Sequence, residues 1–87
     1  MNGVRAMSEK SVTLHFGVMS DTLSVQLASQ GLEFKTERDL QRMERIHFAV
    51  NVVYIHGYIT DNQVKRMRLK LMDEVMACIR IQERLDE

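Results

Sequence analysis

Glu44, His47 and Asn51 are the residues of this 87-residue chain whose types and spacing most readily suggest chemistry. At i, i+3 and i+7 they share one side of a helix. Glu-x-x-His places a carboxylate beside an imidazole, and carboxylate-bridged metal bundles use that pair with further glutamates from neighbouring helices. Glu74 lies about as far beyond the Gly57–Thr60 elbow as Glu44 lies before it. A dimer of hairpins would therefore bring two Glu-x-x-His pairs and two more carboxylates to one level, a carboxylate-His metal site built from Glu44, His47 and Glu74. The plain alternative is that Glu44, His47 and Asn51 hydrogen-bond across a bundle and fix its register. The rest of the chain favours that alternative, and no metal or other cofactor is expected.

A second set is basic. Arg38, Arg42 and Arg45 share one side of the middle of the chain, and Lys65, Arg66, Arg68 and Lys70 crowd the stretch after the elbow. Such a surface suits phosphates or an acidic protein. In layout, not in sequence, it is similar to the helical face of the plasmid RNA-regulating hairpin dimers. Glu37, Asp39 and Glu44 are interspersed with the arginines, so the plain reading is a solvated face of mixed charge. Twelve basic residues balance twelve acidic ones. That balance argues against a generic nucleic-acid coat. Arg68 differs from the others, because it projects into an apolar arc and is expected to snorkel or pair at an interface.

No catalytic set stands out. No serine lies in a nucleophile-elbow context, and Cys78 is a lone cysteine, read as a small apolar residue in a reducing compartment. His15, His47 and His56 have no zinc-ligand spacing, and no glycine loop could cradle a phosphate. The expectation is a chain that is not an enzyme.

The elements that must position these residues follow from periodicity. Val12, Leu14, Phe16 and Val18 alternate with Thr13, His15 and Gly17, the pattern of a half-buried extended segment over 11–18. It is the one strand-like piece. A lone strand must pair with a copy of itself or lie as an arm on helices, because its backbone groups need partners. Residues 20–30 read as a short helix, with Ser20 or Asp21 as cap and Gly31 at its end. After the link Leu32-Glu33-Phe34-Lys35, Thr36 caps a long helix over 36–56, and Thr60 or Asp61 caps another over 61–84. The fold class expected is therefore all-α: a long antiparallel helical hairpin preceded by a short helix and an extended arm. Residues 1–10 read as a flexible tail and 11–87 as one helical domain.

The layout of residues 45–75 is a glycine elbow, then Thr60-Asp61, then a long amphipathic helix. It resembles the two-helix aspartyl-phosphate phosphatases of sporulation control. That family carries a Ser-Gln-Glu-Leu-Asp motif in its second helix. Here the matching stretch is Leu69-Lys70-Leu71-Met72-Asp73, in which Asp73 alone corresponds. The resemblance implies the hairpin and not the phosphatase activity. A DNA-reading helix-turn-helix fits less well, because the helix after the elbow is long and apolar almost to its end.

The apolar faces are wide. At ~100° per residue, Val64, Met67, Leu71, Val75, Cys78 and Leu85 form one stripe, and Leu69, Met72, Met76 and Ile79 form a second beside it. Together they cover roughly 200°, about twice the face of an ordinary surface helix. The middle helix has Leu40, Met43, Ile46, Val50, Val53 and Tyr54 on one face and Phe48, Val52 and Ile55 on another. One antiparallel partner covers one face. The second needs the N-terminal segment, a second copy or a target protein. The sequence favours a homodimer whose interface is Phe48, Val52, Ile55, Leu69, Met72, Met76 and Ile79. Hydrophobic residues make up 45% of the chain and aromatics 6%, so the core is aliphatic and rich in methionine such as Met43, Met67, Met72 and Met76.

No apolar run approaches the ~18–20 residues of a membrane span, and no apolar stretch follows Arg5 as a secretory signal would require. A cytoplasmic location is expected. Small size, neutral charge and the missing catalytic set suit a regulator, inhibitor or adaptor that binds another protein, a style common among phage and mobile-element accessory proteins. The rival is a nucleic-acid-binding bundle using Arg38, Arg42, Arg45, Lys65, Arg66 and Lys70.

Overall fold

Two terminating signals shape the centre of the chain. Gly57 sits at φ 76°, a conformation that costs a side-chain-bearing residue energy. Its N–H donates to the Tyr54 carbonyl at 3.0 Å, and the Tyr58 N–H donates to the Val53 carbonyl at 2.9 Å. This paired closure ends a helix at a glycine. Then Thr60 accepts from the Gln63 N–H at 3.1 Å while the Gln63 side chain accepts from the Thr60 N–H at 2.8 Å. That reciprocal cap starts the next helix. The stretch is a hairpin elbow.

The structure is a computed structural model that describes residues 12–17 and 19–83. In chain order it contains α1 (Leu23–Ala28), β1 (Leu32–Phe34), α2 (Glu37–Ile55), α3 (Asp61–Ala77) and β2 (Ile79–Ile81). Helices α2 and α3 form the hairpin. Thr36 caps α2 by accepting from the Asp39 N–H, and Glu37 and Asp39 place negative charge in its first turn.

The domain is not all-α. Strand β1 pairs antiparallel with β2 in the register Leu32↔Ile81, Glu33↔Arg80 and Phe34↔Ile79. Leu32–Phe34, expected as a link, is a strand, and the helix expected to run to 84 stops at Ala77. Cys78 leaves the helical conformation at φ −126° and ψ 23°. The short apolar run Cys78-Ile79-Arg80-Ile81 fits a helix face and a strand equally, and its β-branched isoleucines favour the strand once Leu32 and Phe34 offer a matching alternation. Phe34 and Ile79 meet on the face that packs on the core. On the opposite face Arg80 Nε lies 2.8 Å from the Glu33 carboxylate.

Of the segment expected as the one strand-like piece, the described residues join no sheet among the described residues. Its described residues, 12–17, lie as an extended arm. The short helix expected over 20–30 spans Leu23–Ala28, and the expected 36–56 helix spans Glu37–Ile55. The expected tail over 1–10 lies outside the described residues.

Helix α1 carries Leu23 and Leu27 four residues apart, both fully buried. They join Leu14 of the arm, Phe34 of β1, Met43 of α2, and Leu71, Val75 and Cys78 in one core. The chain's own N-terminal segment and sheet therefore cover part of the hairpin's apolar width, while Phe48, Ile55, Leu69 and Met76 stay exposed. Met72 and Ile79, expected at a dimer interface, are half-buried against this core. Among the methionines, Met43 is fully buried, while Met67 and Met76 are exposed. No helix among the described residues is long and apolar enough to cross a membrane.

Leu27→Ala should destabilise the fold by about 2–5 kcal/mol, as deletion of a fully buried leucine side chain does. Urea unfolding followed by circular dichroism checks it. Burial also pushes the Cys78 thiol up from its ordinary value. A raised value means the folded state holds the proton more tightly. That contribution to stability is complete below the unfolded value and is lost as pH rises through the folded one. Iodoacetamide at pH 8 should accordingly label Cys78 in native protein at least about tenfold more slowly than in urea.

Candidate functional site

Among the described residues no strand lies beside the arm, and side chains satisfy its backbone. Two glutamines four residues apart do so. The Gln26 carboxamide accepts from the His15 N–H at 2.6 Å and donates to the His15 carbonyl at 3.1 Å. The Gln30 carboxamide accepts from the Thr13 N–H at 2.8 Å and donates to the Thr13 carbonyl at 2.7 Å. Each primary amide thus presents the donor and acceptor that a neighbouring strand would have supplied. Across from them, His47 Nε2 lies 3.4 Å from the His15 carbonyl, and Asn51 Nδ2 donates to the Gly17 carbonyl at 3.4 Å. The carbonyls of alternate residues 13, 15 and 17 therefore meet Gln30, Gln26 with His47, and Asn51 in turn. Between them Leu14 turns inward and is buried.

Glu44, His47 and Asn51, expected to bond across a bundle, meet the arm and α1 of their own chain. Among the described residues the buried polar ones are Gln26, His47 and Asn51, at 6%, 5% and 7% exposure. Glu44 is spent on α1: its Oε1 accepts from the Leu23 N–H at 2.9 Å, and its Oε2 accepts from the Ser24 N–H at 2.8 Å and the Ser24 hydroxyl at 2.9 Å. These hydrogen bonds to a charged acceptor hold the start of α1 against α2. Phe16 packs on His47 with ring centroids 5.3 Å apart. The Arg68 guanidinium carbon lies 5.2 Å from the centroids of both Phe16 and Tyr54. Arg68 thereby joins α3 to the arm and to α2 through two cation–π contacts. Tyr54 in turn donates to Asp61 at 2.9 Å, and that hydrogen bond holds its phenol above the ordinary value.

Beside the end of the arm lies a cavity of about 220 Å³. Gly17, Ser20, Asp21 and Thr22 form one wall. Glu44, His47, Phe48, Asn51, Val52 and Ile55 of α2 form the other. Phe48 and Ile55 rise at its edge at 69% and 48% exposure, and Val52 is half-buried between them. Three residues expected at an interface thus form an apolar ridge on the rim of a mainly apolar cleft. Leu69 and Met76 are also exposed, at 67% and 46%, on α3.

Within the one chain Glu74 pairs with Arg42 at 3.3 Å, and Glu44 is hydrogen-bonded to α1. The described residues contain no group of three or more histidine, cysteine, aspartate or glutamate side chains placed to hold a metal ion. Arg42 also lies 3.6 Å from Asp39, so it sits between two carboxylates. Arg38, Arg45, Lys65, Arg66 and Lys70 are exposed and make no ion pair among the described residues. Gln26 and Gln30 were not singled out by the sequence. Their signal was present as an i, i+4 amide pair at the end of a short helix beside a segment of period two.

The chain matches no protein-family model, no curated protein and no solved structure. The phosphatase-like layout of residues 45–75 rests on the hairpin alone, and Asp73 is an exposed residue of α3.

Replacing Gln26 and Gln30 together by alanine should free the arm while leaving the hairpin helical. Loss of Gln26 should weigh more than loss of Gln30, because its bonds to His15 are part-buried while those of Gln30 to Thr13 are exposed to water. Limited proteolysis should cut the double variant within residues 12–20 under conditions that leave the wild type intact there. Glu44→Ala should cost ~1–3 kcal/mol in urea unfolding, because the α1 N–H groups lose their acceptor.

Proposed function

We propose that this protein is a small non-enzymatic binding module, a regulator, inhibitor or adaptor that grips another protein through the ridge Phe48–Val52–Ile55 and the cavity beside it. The observation that carries the reading is the exposure of Phe48 on a long, doubly capped helix at the rim of that cavity. Large apolar side chains exposed together on a rigid element mark interaction sites. The cavity is smaller than the roughly 300–1,000 Å³ of sites for drug-sized molecules. Its size suits one side chain of a partner. The polar groups nearby support binding more than chemistry: both Glu44 oxygens are hydrogen-bonded to α1, and the His47 Nε2 faces a backbone carbonyl.

Self-association through the same ridge, with Leu69 and Met76, is the form this reading takes if the partner is a second copy. The nucleic-acid reading has less support, because Arg42 is engaged by Asp39 and Glu74.

Immobilised wild-type protein should retain a defined partner from nuclease-treated lysate, and Phe48→Ser, which keeps the fold, should lose it. Replacing Arg45 and Lys70 by glutamate should leave capture unchanged. Capture that disappears with nuclease, or that weakens steeply with salt as phosphate contacts do, would transfer the function to the basic side.

A further inference from the structure

Strand β2 has one paired side and one open side. The Lys35 N–H donates to the Cys78 carbonyl at 2.9 Å, and the Gln82 N–H donates to the Gly31 carbonyl at 2.8 Å. In an antiparallel ladder such hydrogen-bonded pairs recur at every second residue. Glu33 and Arg80, which the register sets opposite each other, are therefore the hydrogen-bonded pair between them. The backbone groups of Ile79 and Ile81 point the other way, and among the described residues they make no hydrogen bond on that side. The edge is accessible: Arg80, Ile81, Gln82 and Glu83 are all exposed, Ile81 at 80%. Strand edges are ordinarily guarded by charge or by a covering element. The one charge within β2 is Arg80, and the Glu33 carboxylate already holds its Nε at 2.8 Å.

An open strand edge takes up another extended backbone. The residues of this edge suit a copy of itself. By alternation Ile81 lies on the same face as Ile79, the core side, yet it stays exposed. A second β2, laid antiparallel about a two-fold axis at Ile81, keeps the core sides of both copies on one face and sets Ile81 against Ile81 of the second copy. The Ile81 N–H and carbonyl of each chain then bond those of the other, and Ile79 does the same with Glu83 of the second copy. Arg80 faces Gln82 of the second copy. Moving the axis one residue, to Arg80, would set two guanidinium groups directly opposite, and like charges so placed repel. Charge therefore selects the register that covers Ile81. We propose that the open edge of β2 is a self-association surface whose occupant is β2 of a second copy, joining the two small sheets into one antiparallel sheet of four strands. The contact is isologous, the same patch on both chains. It uses no residue of the ridge Phe48–Val52–Ile55.

Sedimentation velocity and amide hydrogen exchange of the full chain test the proposal. A contact between such short strands is small, so the dimer should form at about 1 mM and dissociate by about 10 µM. At the higher concentration the Ile79 and Ile81 N–H groups should exchange at least about tenfold more slowly than at the lower one, while the Arg80 N–H, bonded within the sheet, should not change. Ile81→Pro removes one N–H from the open side and no bond to β1, so this variant should stay monomeric with the helical signal of the wild type. If proline disturbs the strand, Ile81→Lys keeps the N–H and sets like charges at the axis, and it should be monomeric too. Phe48→Ser should leave the dimer unchanged. A wild type that stays monomeric at the higher concentration would overturn the second copy as occupant. A dimer whose Ile79 and Ile81 amides exchange as in the monomer, or one that survives Ile81→Lys, would overturn the edge. Dissociation by Phe48→Ser and not by Ile81→Pro would overturn it as well and assign self-association to the ridge.

Discussion

An extended arm over an apolar floor has a backbone that water reaches on one side alone, and the structure depends on how that backbone is satisfied. Sheets solve the problem with a second strand. This chain solves it with two primary amides, Gln26 and Gln30, set four residues apart so that they meet backbone groups two residues apart in the arm. The spacings agree because one helical turn rises ~5.4 Å and two extended residues span roughly 6.6 Å. Leu14 can then be buried between the paired residues, and its burial completes the core under α1. The arm, α1 and the two-stranded sheet form the second layer that an isolated hairpin with wide apolar faces would lack.

That arrangement also explains where apolar surface is left over. The cover reaches Met72 and Ile79 but stops short of Phe48, Ile55, Leu69 and Met76. The cavity lies where the end of the arm and the turn into α1 fail to close on α2. Its polar residues have distinct tasks. Glu44 holds α1, His47 backs the arm, and Asn51 spends one end of its amide on the arm, the other having no partner among the described residues. A cavity made in this way depends on the arm staying in place.

Much of the hairpin was legible in the sequence because its signals are local. Gly57, Thr60 with Gln63, and Thr36 with Asp39 each terminate or start a helix through contacts within a few residues. The seam was legible as well, since Glu44, His47 and Asn51 interrupt apolar positions at helical spacing. What was not legible was long-range. Leu32-Glu33-Phe34 becomes a strand through Ile79, Arg80 and Ile81, which lie over forty positions away. Each run is too short to declare its period alone, and only their pairing decides against a longer helix. The arm's partners were hidden for the same reason: glutamine on a short helix is ordinarily a solvated residue, and nothing local says that it faces a backbone. The apolar faces were read as needing the N-terminal segment, a second copy or a target protein, and part of their width meets the chain's own N-terminal segment.

Hydrogen exchange at two amides reaches the centre of this account. If the arm is held by its own chain's carboxamides, the Thr13 and His15 N–H groups should exchange at least about tenfold more slowly than those of an unstructured peptide. That protection should be the same when the protein is diluted a hundredfold. Exchange at the rate of a free peptide would contradict the docked arm, and protection that falls with dilution would mean that the arm belongs in the groove of another copy.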